Sequence, residues 1–426
     1  MDQIIQPAKK LSGIVRLPGD KSISHRALLL SGIAEGTSIL ENLNNGADVA
    51  STMNCMKKLG VRFSEDKGIL RVAGKGPALA APSETLDVGN SGTTIRILSG
   101  ILAGQNFTTT ISGDDSIRRR PMGRIIEPLT KMGVNIEAVE NEFAPLTIHG
   151  GHVQSIHYAL PVASAQVKSC ILMAALFASG TTEIREPGLT RDHTEIMLKR
   201  FGAQIEKERL TVSLTGPARL EAQNVIVPGD LSAAAFFLAA GCLVNGAEIL
   251  IPNVGVNPTR KAFISLLCDM GAEIDMLNIV TSGNEIKADF VVRQSKLKGI
   301  TISGAVIPQI IDELPILAIM ATQAEGVTEV SNARELRVKE SDRIKSIVSN
   351  LTKMGASVEE REDGFIIEGP VKLKAAALDS FHDHRIAMAF AVAALVADSE
   401  STIQHAECVD ISFPAFYDEL ENITEH

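Results

Sequence analysis

Short clusters of cations recur along this chain, and two carboxylates stand among them. The cations lie in LPGDKSISHR (Lys21, Arg26), GNSGTTIR (Arg96), SIRRRPMGRI (Arg118, Arg119, Arg120), ASAQVKS (Lys168), TRDHTE (Arg191), ELRVKESDRI (Lys339, Arg343) and DHRIAMAF (Arg385). Lysine and arginine beside serine, asparagine and glutamine donors are the groups that hold phosphate and carboxylate. The carboxylates are Asp312, in DELP, and Glu340, set between Lys339 and Arg343. A carboxylate between two cations ionises readily, yet it can deliver a proton once a substrate anion neutralises the local field. The pattern reads as acid–base chemistry on a small, heavily anionic substrate.

Plainer readings stand beside this one. Asp312 and Glu313 are ordinary helix caps by type, as are Ser22 and Ser24. Asn90, Ser91, Gly92 and Thr93 fit either a turn capping a core helix or close backbone approach to a ligand. Three adjacent arginines on a helix cannot all face solvent, so at least one of Arg118, Arg119 and Arg120 should be aimed at an anion, the other two forming a solvated charged face. Pro121 suits the first position of a helix. Ser164 and Gln166 suit the oxygens of a small polyol phosphate, and His193 beside Asp192 reads as a local hydrogen-bond pair. Lys339 and Arg343 would share a face if their turn enters a helix. In GDKS, Asp20 separates glycine from lysine, so the P-loop spacing is absent. His382 and His384 invite a metal, but no further His/Cys cluster at ligand spacing supports one, and no metal is expected.

The elements that must position these residues repeat. Six polar clusters run straight into apolar stretches that end at short turns, beginning at Pro18, Gly89, Ala163, Gly229, Asp312 and His382. Each reads as a buried helix whose first turn carries the polar groups, and a helix N-terminus is a natural anion site. After each comes a turn and a β-like run, opened by Gly36, Gly104, Gly180, Gly246, Gly326 and, in the sixth, Glu400. The steps are 68, 76, 66, 80 and 74 residues. A second signature, as in LGVRF and MGASV, places Gly60, Gly133, Gly202, Gly271 and Gly355 where a helix ends and a hairpin begins. One unit is therefore strand, helix, strand, helix, strand, strand.

The sixth unit runs out of chain before its hairpin. LSGIVRLPGD resembles the strand closing the third unit, NVIVPGD, and is expected to supply the missing strand. The two PGD triplets, at Pro18 and Pro228, lie 210 residues apart. They predict an α/β fold of two three-unit domains with buried parallel helices: 20–228, and 1–19 with 229–426, joined by a two-strand hinge near 18–20 and 228–230. A ligand cleft between the halves is the corresponding expectation.

Composition narrows the class. At 426 residues the chain suits two domains, and 45% hydrophobic residues suffice for two cores. A formal charge of -10 disfavours a nucleic-acid coat. The five cysteines form no C-x-x-C pair and read as free thiols in a reducing cytosol. The apolar stretches are too short to span a bilayer, so a cytoplasmic protein is expected.

Together, LPGDKSISHR, GNSGTTIR, RRRPM, SAQVKS, TRDHTE, the aspartate of IDELP, ELRVKESDR and DHRIAMAF resemble, in order and over nearly the whole chain, the 5-enolpyruvylshikimate-3-phosphate synthases, and among them the class II group. The resemblance implies two domains of three βαβαββ units, the enolpyruvyl transferase fold. It also implies transfer of the enolpyruvyl group of phosphoenolpyruvate to the 5-hydroxyl of shikimate 3-phosphate, in aromatic amino acid biosynthesis, by the family inhibited by glyphosate. It would have Lys21, Ser22 and Arg26 bind shikimate 3-phosphate, with Lys21 also reaching phosphoenolpyruvate. Ser164, Ala165, Gln166 and Lys339 would hold the shikimate phosphate and ring, assisted by Arg191. Gly92, Arg120, Arg343 and Arg385 would hold phosphoenolpyruvate. Asp312 would accept the 5-hydroxyl proton, and Glu340 would protonate the methylene carbon and later deprotonate it. No cofactor or metal is implied. The partners would be these two small molecules, with no nucleic acid or membrane, and the chain a monomer.

One departure stands out. The family usually places a lysine shortly before the C-terminal S/T-F-P, where this chain has Val409, Asp410 and Ile411. Among alternatives, UDP-N-acetylglucosamine enolpyruvyl transferases carry a reactive cysteine on a loop in the first half, and the segment around Asp114–Arg120 has none. An RNA 3′-phosphate cyclase-like protein would need a nucleotidyl-accepting histidine and a more basic surface. A non-catalytic anion binder has no need of both Asp312 and Glu340.

Overall fold

In the computed structural model, which describes residues 1–282 and 285–426, the chain forms two compact units. One is Gly19–Val227; the other is Met1–Pro18 with Pro228–Thr281 and Glu285–His426. Each contains three small sheets covered by helices: three of four strands in the first unit, and sheets of five, four and three strands among the described residues of the other.

In the first sheet of the Gly19–Val227 unit the order is Asn224–Ile226, Thr37–Glu41, Ile69–Ala73, Arg62–Asp66. The first pair is parallel and the other two antiparallel. The sheets built on Thr108–Ser112 and Gly180–Arg185 repeat that order and those directions. So does the sheet on Gly326–Val330 in the other unit. The repeat is physical: each hairpin follows a glycine at φ between +79° and +95°, at Gly60, Gly133, Gly202, Gly271 and Gly355. That left-handed conformation, open to glycine without strain, ends the preceding helix.

The strand that completes the sixth sheet differs from expectation. Lys10–Ile14 pairs parallel with Glu248–Gly255, filling in the fourth sheet the place that Asn224–Ile226 fills in the first. The shorter Gln3–Ile5 pairs antiparallel with Ser401–Gln404 and completes the sixth. The likeness of the two segments ending in PGD was sound, but it marked equivalent parallel strands. A three-residue strand offers too little alternation to be read from sequence.

The six apolar helices are Lys21–Ile33, Gly92–Ala103, Ala165–Ala175, Leu231–Leu243, Leu314–Gln323 and His384–Leu395. Nearly all of their residues are buried. Their apolar surface runs all round, as a helix packed on every side requires. Gly100 shows how close they come: a Cβ there would lie 2.1 Å from the carbonyl oxygen of Cys170 on the neighbouring helix. Cys55, Cys170, Cys242 and Cys408 are buried thiols, and Cys268 is exposed. Burial pushes Cys55, Cys242 and Cys408 up to about 12, so they stay protonated and inert. No single described helix is long and apolar enough to cross a membrane.

Candidate active site

In the Gly19–Val227 unit the basic residues gather at the N-termini of three of these helices. Asp20 caps Lys21–Ile33, its carboxylate accepting from the Ile23 amide. That leaves the serines free of capping: Ser24 Oγ instead accepts from the Asn44 amide at 2.9 Å. Lys21 Nζ lies 3.0 Å from Asp48. Arg26 is buried, donating from Nε to Thr194 Oγ1 at 2.6 Å, from Nη2 to Ser169 Oγ at 2.9 Å and from Nη1 to the Ser22 carbonyl at 2.8 Å.

Ser164 caps Ala165–Ala175. Gln166 bridges to the next helix, accepting from Arg96 Nη1 at 2.7 Å and donating to Thr93 Oγ1 at 3.1 Å. Below it Lys168 is fully buried between Glu195 (2.6 Å) and Glu186 (3.0 Å). Lys168 therefore anchors the scaffold, and its charge is spent inside the protein. Arg191 is half-buried just before the helix His193–Arg200, while its neighbour Asp192 takes Lys207 at 3.4 Å.

Among the three arginines, Arg118 and Arg119 are exposed and Arg120 is buried. Arg120 Nη2 donates to Asn90 and Ser116, both at 3.2 Å. Its Nη1 would be 2.9 Å from a Cβ added at Gly92, and Arg96 Nη1 3.2 Å from it. Gly92 thus leaves the space that two guanidinium groups occupy beside a helix N-terminus. Pro121 does not open a helix: Met122, whose amide donates to the Glu142 carbonyl at 2.7 Å, is the N-cap of Gly123–Lys131.

In the other unit, Asp312 gathers the cations. Its carboxylate lies 3.3 Å from Arg343 Nη1, 3.6 Å from Lys339 Nζ and 3.9 Å from Arg385 Nη2. Arg385 also donates to the Asp312 carbonyl at 3.2 Å. Glu313 is the N-cap residue of Leu314–Gln323 and makes no side-chain cap hydrogen bond. Lys339 and Arg343 do not share a helix. Lys339 follows the 3-10 turn Arg334–Val338, and Asp342 caps a new helix, Arg343–Lys353. Asp312, not helical spacing, brings them together.

Arg343 is 1% exposed, with Nη2 2.7 Å from Glu340 and Nε 2.8 Å from Asp383. Burial alone would depress its basicity, but the carboxylates of Asp383, Glu340 and Asp312 outweigh it and hold the guanidinium charged. The segment with Val409, Asp410 and Ile411 forms the 3-10 turn Ala406–Ile411, with Val409 buried and Asp410 exposed, and it carries no cation.

Sequence reasoning gave no role to Asp383 or Asp48. Asp383 caps His384–Leu395, orients Arg343 and accepts from Ser341 Oγ at 3.1 Å. Its signal was an acid two residues before an arginine at the head of an apolar helix. Asp48, in NNGADVAST, carries no comparable signal. The sequence also did not reveal the hydroxyl chain His25–Thr52–Thr94–Ser91, with successive contacts of 2.7, 2.6 and 2.7 Å.

Known proteins match this arrangement over its whole length. A profile of the family described as EPSP synthase (3-phosphoshikimate 1-carboxyvinyltransferase) fits residues 5–420. A 3-phosphoshikimate 1-carboxyvinyltransferase of Thermoanaerobacter sp. (strain X514) is 51% identical over 417 residues, 98% of this chain and 99% of the relative. One from Solibacter usitatus (strain Ellin6076) is 49% identical over 426 residues, 100% of each. The solved EPSP synthase from Acinetobacter baumannii superposes with a TM-score of 0.88 at 41% identity, covering 100% of this chain and 98% of that one. The enolpyruvyl transferase NikO from Streptomyces tendae shares the fold, with a TM-score of 0.81 at 18% identity, over 99% of this chain and 96% of its own. The chain belongs to the EPSP synthase family.

Proposed function

We propose the following route for the family's reaction, the transfer of enolpyruvyl from phosphoenolpyruvate to shikimate 3-phosphate in aromatic amino acid biosynthesis. Lys21, Ser22, Arg26, Ser164, Ala165, Gln166, Arg191 and Lys339 hold shikimate 3-phosphate. Gly92, Arg120, Arg343 and Arg385 hold phosphoenolpyruvate, with Lys21 reaching both. Asp312 takes the proton of the 5-hydroxyl as its oxygen bonds to C2 of phosphoenolpyruvate, and Glu340 delivers a proton to C3. The product of addition is a tetrahedral species that still carries the phosphate. Glu340 then removes a proton from the new methyl group, the C–O bond to phosphate breaks, and phosphate leaves. The cations and helix N-termini neutralise the charge that develops.

The observation that carries this reading is the placement of Asp312 and Glu340 on one buried guanidinium, Arg343. A carboxylate pair so held is oriented for proton transfer in both directions. In this reading the connections near 18–20 and 228–230 serve as a hinge, and the chain works as a cytoplasmic monomer on two small molecules. Rapid quenching of enzyme with both substrates should trap a species with their summed mass. Direct formation of product with no such species at any quench time would contradict addition–elimination.

A further inference from the structure

The metal-capable histidines are not the pair that sequence spacing suggested. His384 is buried in the first turn of its helix. His382 is exposed, and its ring lies 4.3 Å from that of His405, tilted by 35°. One ligand atom each from His382, His405 and Glu407 lies within 4.8 Å of the others, all on exposed side chains. Two segments far apart in sequence are tied together to make this cluster. The His382 amide donates to Ser380 Oγ at 3.1 Å, and Ser380 Oγ donates to the His405 carbonyl at 3.1 Å. The His405 amide donates to Asp2 at 3.3 Å. Both histidines hold left-handed backbone conformations, φ +57° and +55°, and so does Phe381 at +53°. Non-glycine residues rarely adopt that region, least of all in adjacent positions, unless the surroundings enforce it.

We propose that His382, His405 and Glu407 bind a zinc-type divalent cation at the protein surface. Two imidazole nitrogens and one carboxylate oxygen form the three-ligand set that Zn2+, Ni2+ and Cu2+ accept, leaving the remaining positions to water. Mg2+ and Ca2+ favour oxygen ligands and gain little from imidazole. Metal–ligand bonds of about 2.0–2.2 Å require the three ligand atoms to draw closer than they stand, which exposed side chains do by changing rotamer. Glu407 also meets the Met1 amino group at 2.5 Å, and the ion replaces that ammonium as its counter-charge. The cluster lies beside the catalytic constellation, since His382 directly precedes Asp383.

Zinc titration by calorimetry on the full chain, with His382→Asn, His405→Asn and Glu407→Gln variants, tests the proposal. Asparagine tolerates the left-handed backbone, so these variants keep the loops. The wild type is expected to bind one Zn2+ that each histidine variant weakens at least tenfold and that millimolar Mg2+ does not displace. Cu2+ in the same site should show two nitrogen couplings in its paramagnetic resonance spectrum, and one in either histidine variant. Zinc affinity and copper spectra unchanged in both histidine variants would overturn it.

Discussion

Asp312 and Glu340, the carboxylates given opposite proton roles, are held by one side chain. Arg343 reaches the first with Nη1 at 3.3 Å and the second with Nη2 at 2.7 Å. Because that guanidinium is buried and itself fixed by Asp383, both acids gain orientation from the protein before substrate arrives. Asp312→Ala and Glu340→Ala should each lower kcat by roughly 10²-fold or more, the usual contribution of a positioned acid or base. Binding of shikimate 3-phosphate, measured by calorimetry, should change little. A variant that keeps near-wild-type kcat would remove that residue from the proton path.

Asp383 is fully buried and bonded to Arg343 through two oxygens, at 2.8 and 3.3 Å. Asp383→Ala would leave the guanidinium buried with less counter-charge, a loss of about 3–5 kcal/mol for such a pair. The thermal midpoint should fall, and KM for phosphoenolpyruvate should rise more than that for shikimate 3-phosphate. Equal changes in the two KM values would reduce Asp383 to a general structural role.

Gly92 borders the two guanidinium groups of Arg96 and Arg120. Gly92→Ala places a methyl group 2.9 Å from Arg120 Nη1, so that side chain must move. The expected result is a raised KM for phosphoenolpyruvate with stability nearly unchanged, since the clash is with a side-chain end. An unchanged KM would show that Arg120 does not bind this substrate from its present position.

The repeated strand–helix pattern was legible because it rests on local signals: apolar runs and the glycines that end helices. What the sequence could not show was pairing between distant segments. Lys168 carries the same charge as Lys21, yet it is consumed by Glu186 and Glu195, which lie 18 and 27 residues later. Gln3–Ile5 was invisible as a strand because its partner lies at the far end of the chain. The convergence of Lys339, Arg343 and Arg385 on Asp312 likewise follows from tertiary packing, and the helical spacing that suggested part of it is absent.

His25 lies between Lys21 and Arg26 with Nδ1 2.7 Å from Thr52 Oγ1 and with no described partner at Nε2. Burial first, and then the two neighbouring cations, push its basicity well below the usual histidine value of 6.5. The unfolded chain therefore binds a proton that the folded protein refuses. Stability should be unaffected by His25 above about pH 6.5, then fall as pH drops from there towards the folded value, by at most about 1.4 kcal/mol per pH unit. Thermal midpoints from pH 7.5 to 5 should show a steeper decline for the wild type than for His25→Gln. Parallel profiles would mean that His25 protonates in place.

Two cation clusters matched to two anionic substrates are the core of this account, and release of inorganic phosphate tests it most directly. Purified protein should release one phosphate per enolpyruvyl transferred when phosphoenolpyruvate and shikimate 3-phosphate are supplied together, and none from either alone. Equal release with UDP-N-acetylglucosamine as the acceptor, or release from phosphoenolpyruvate alone, would contradict it.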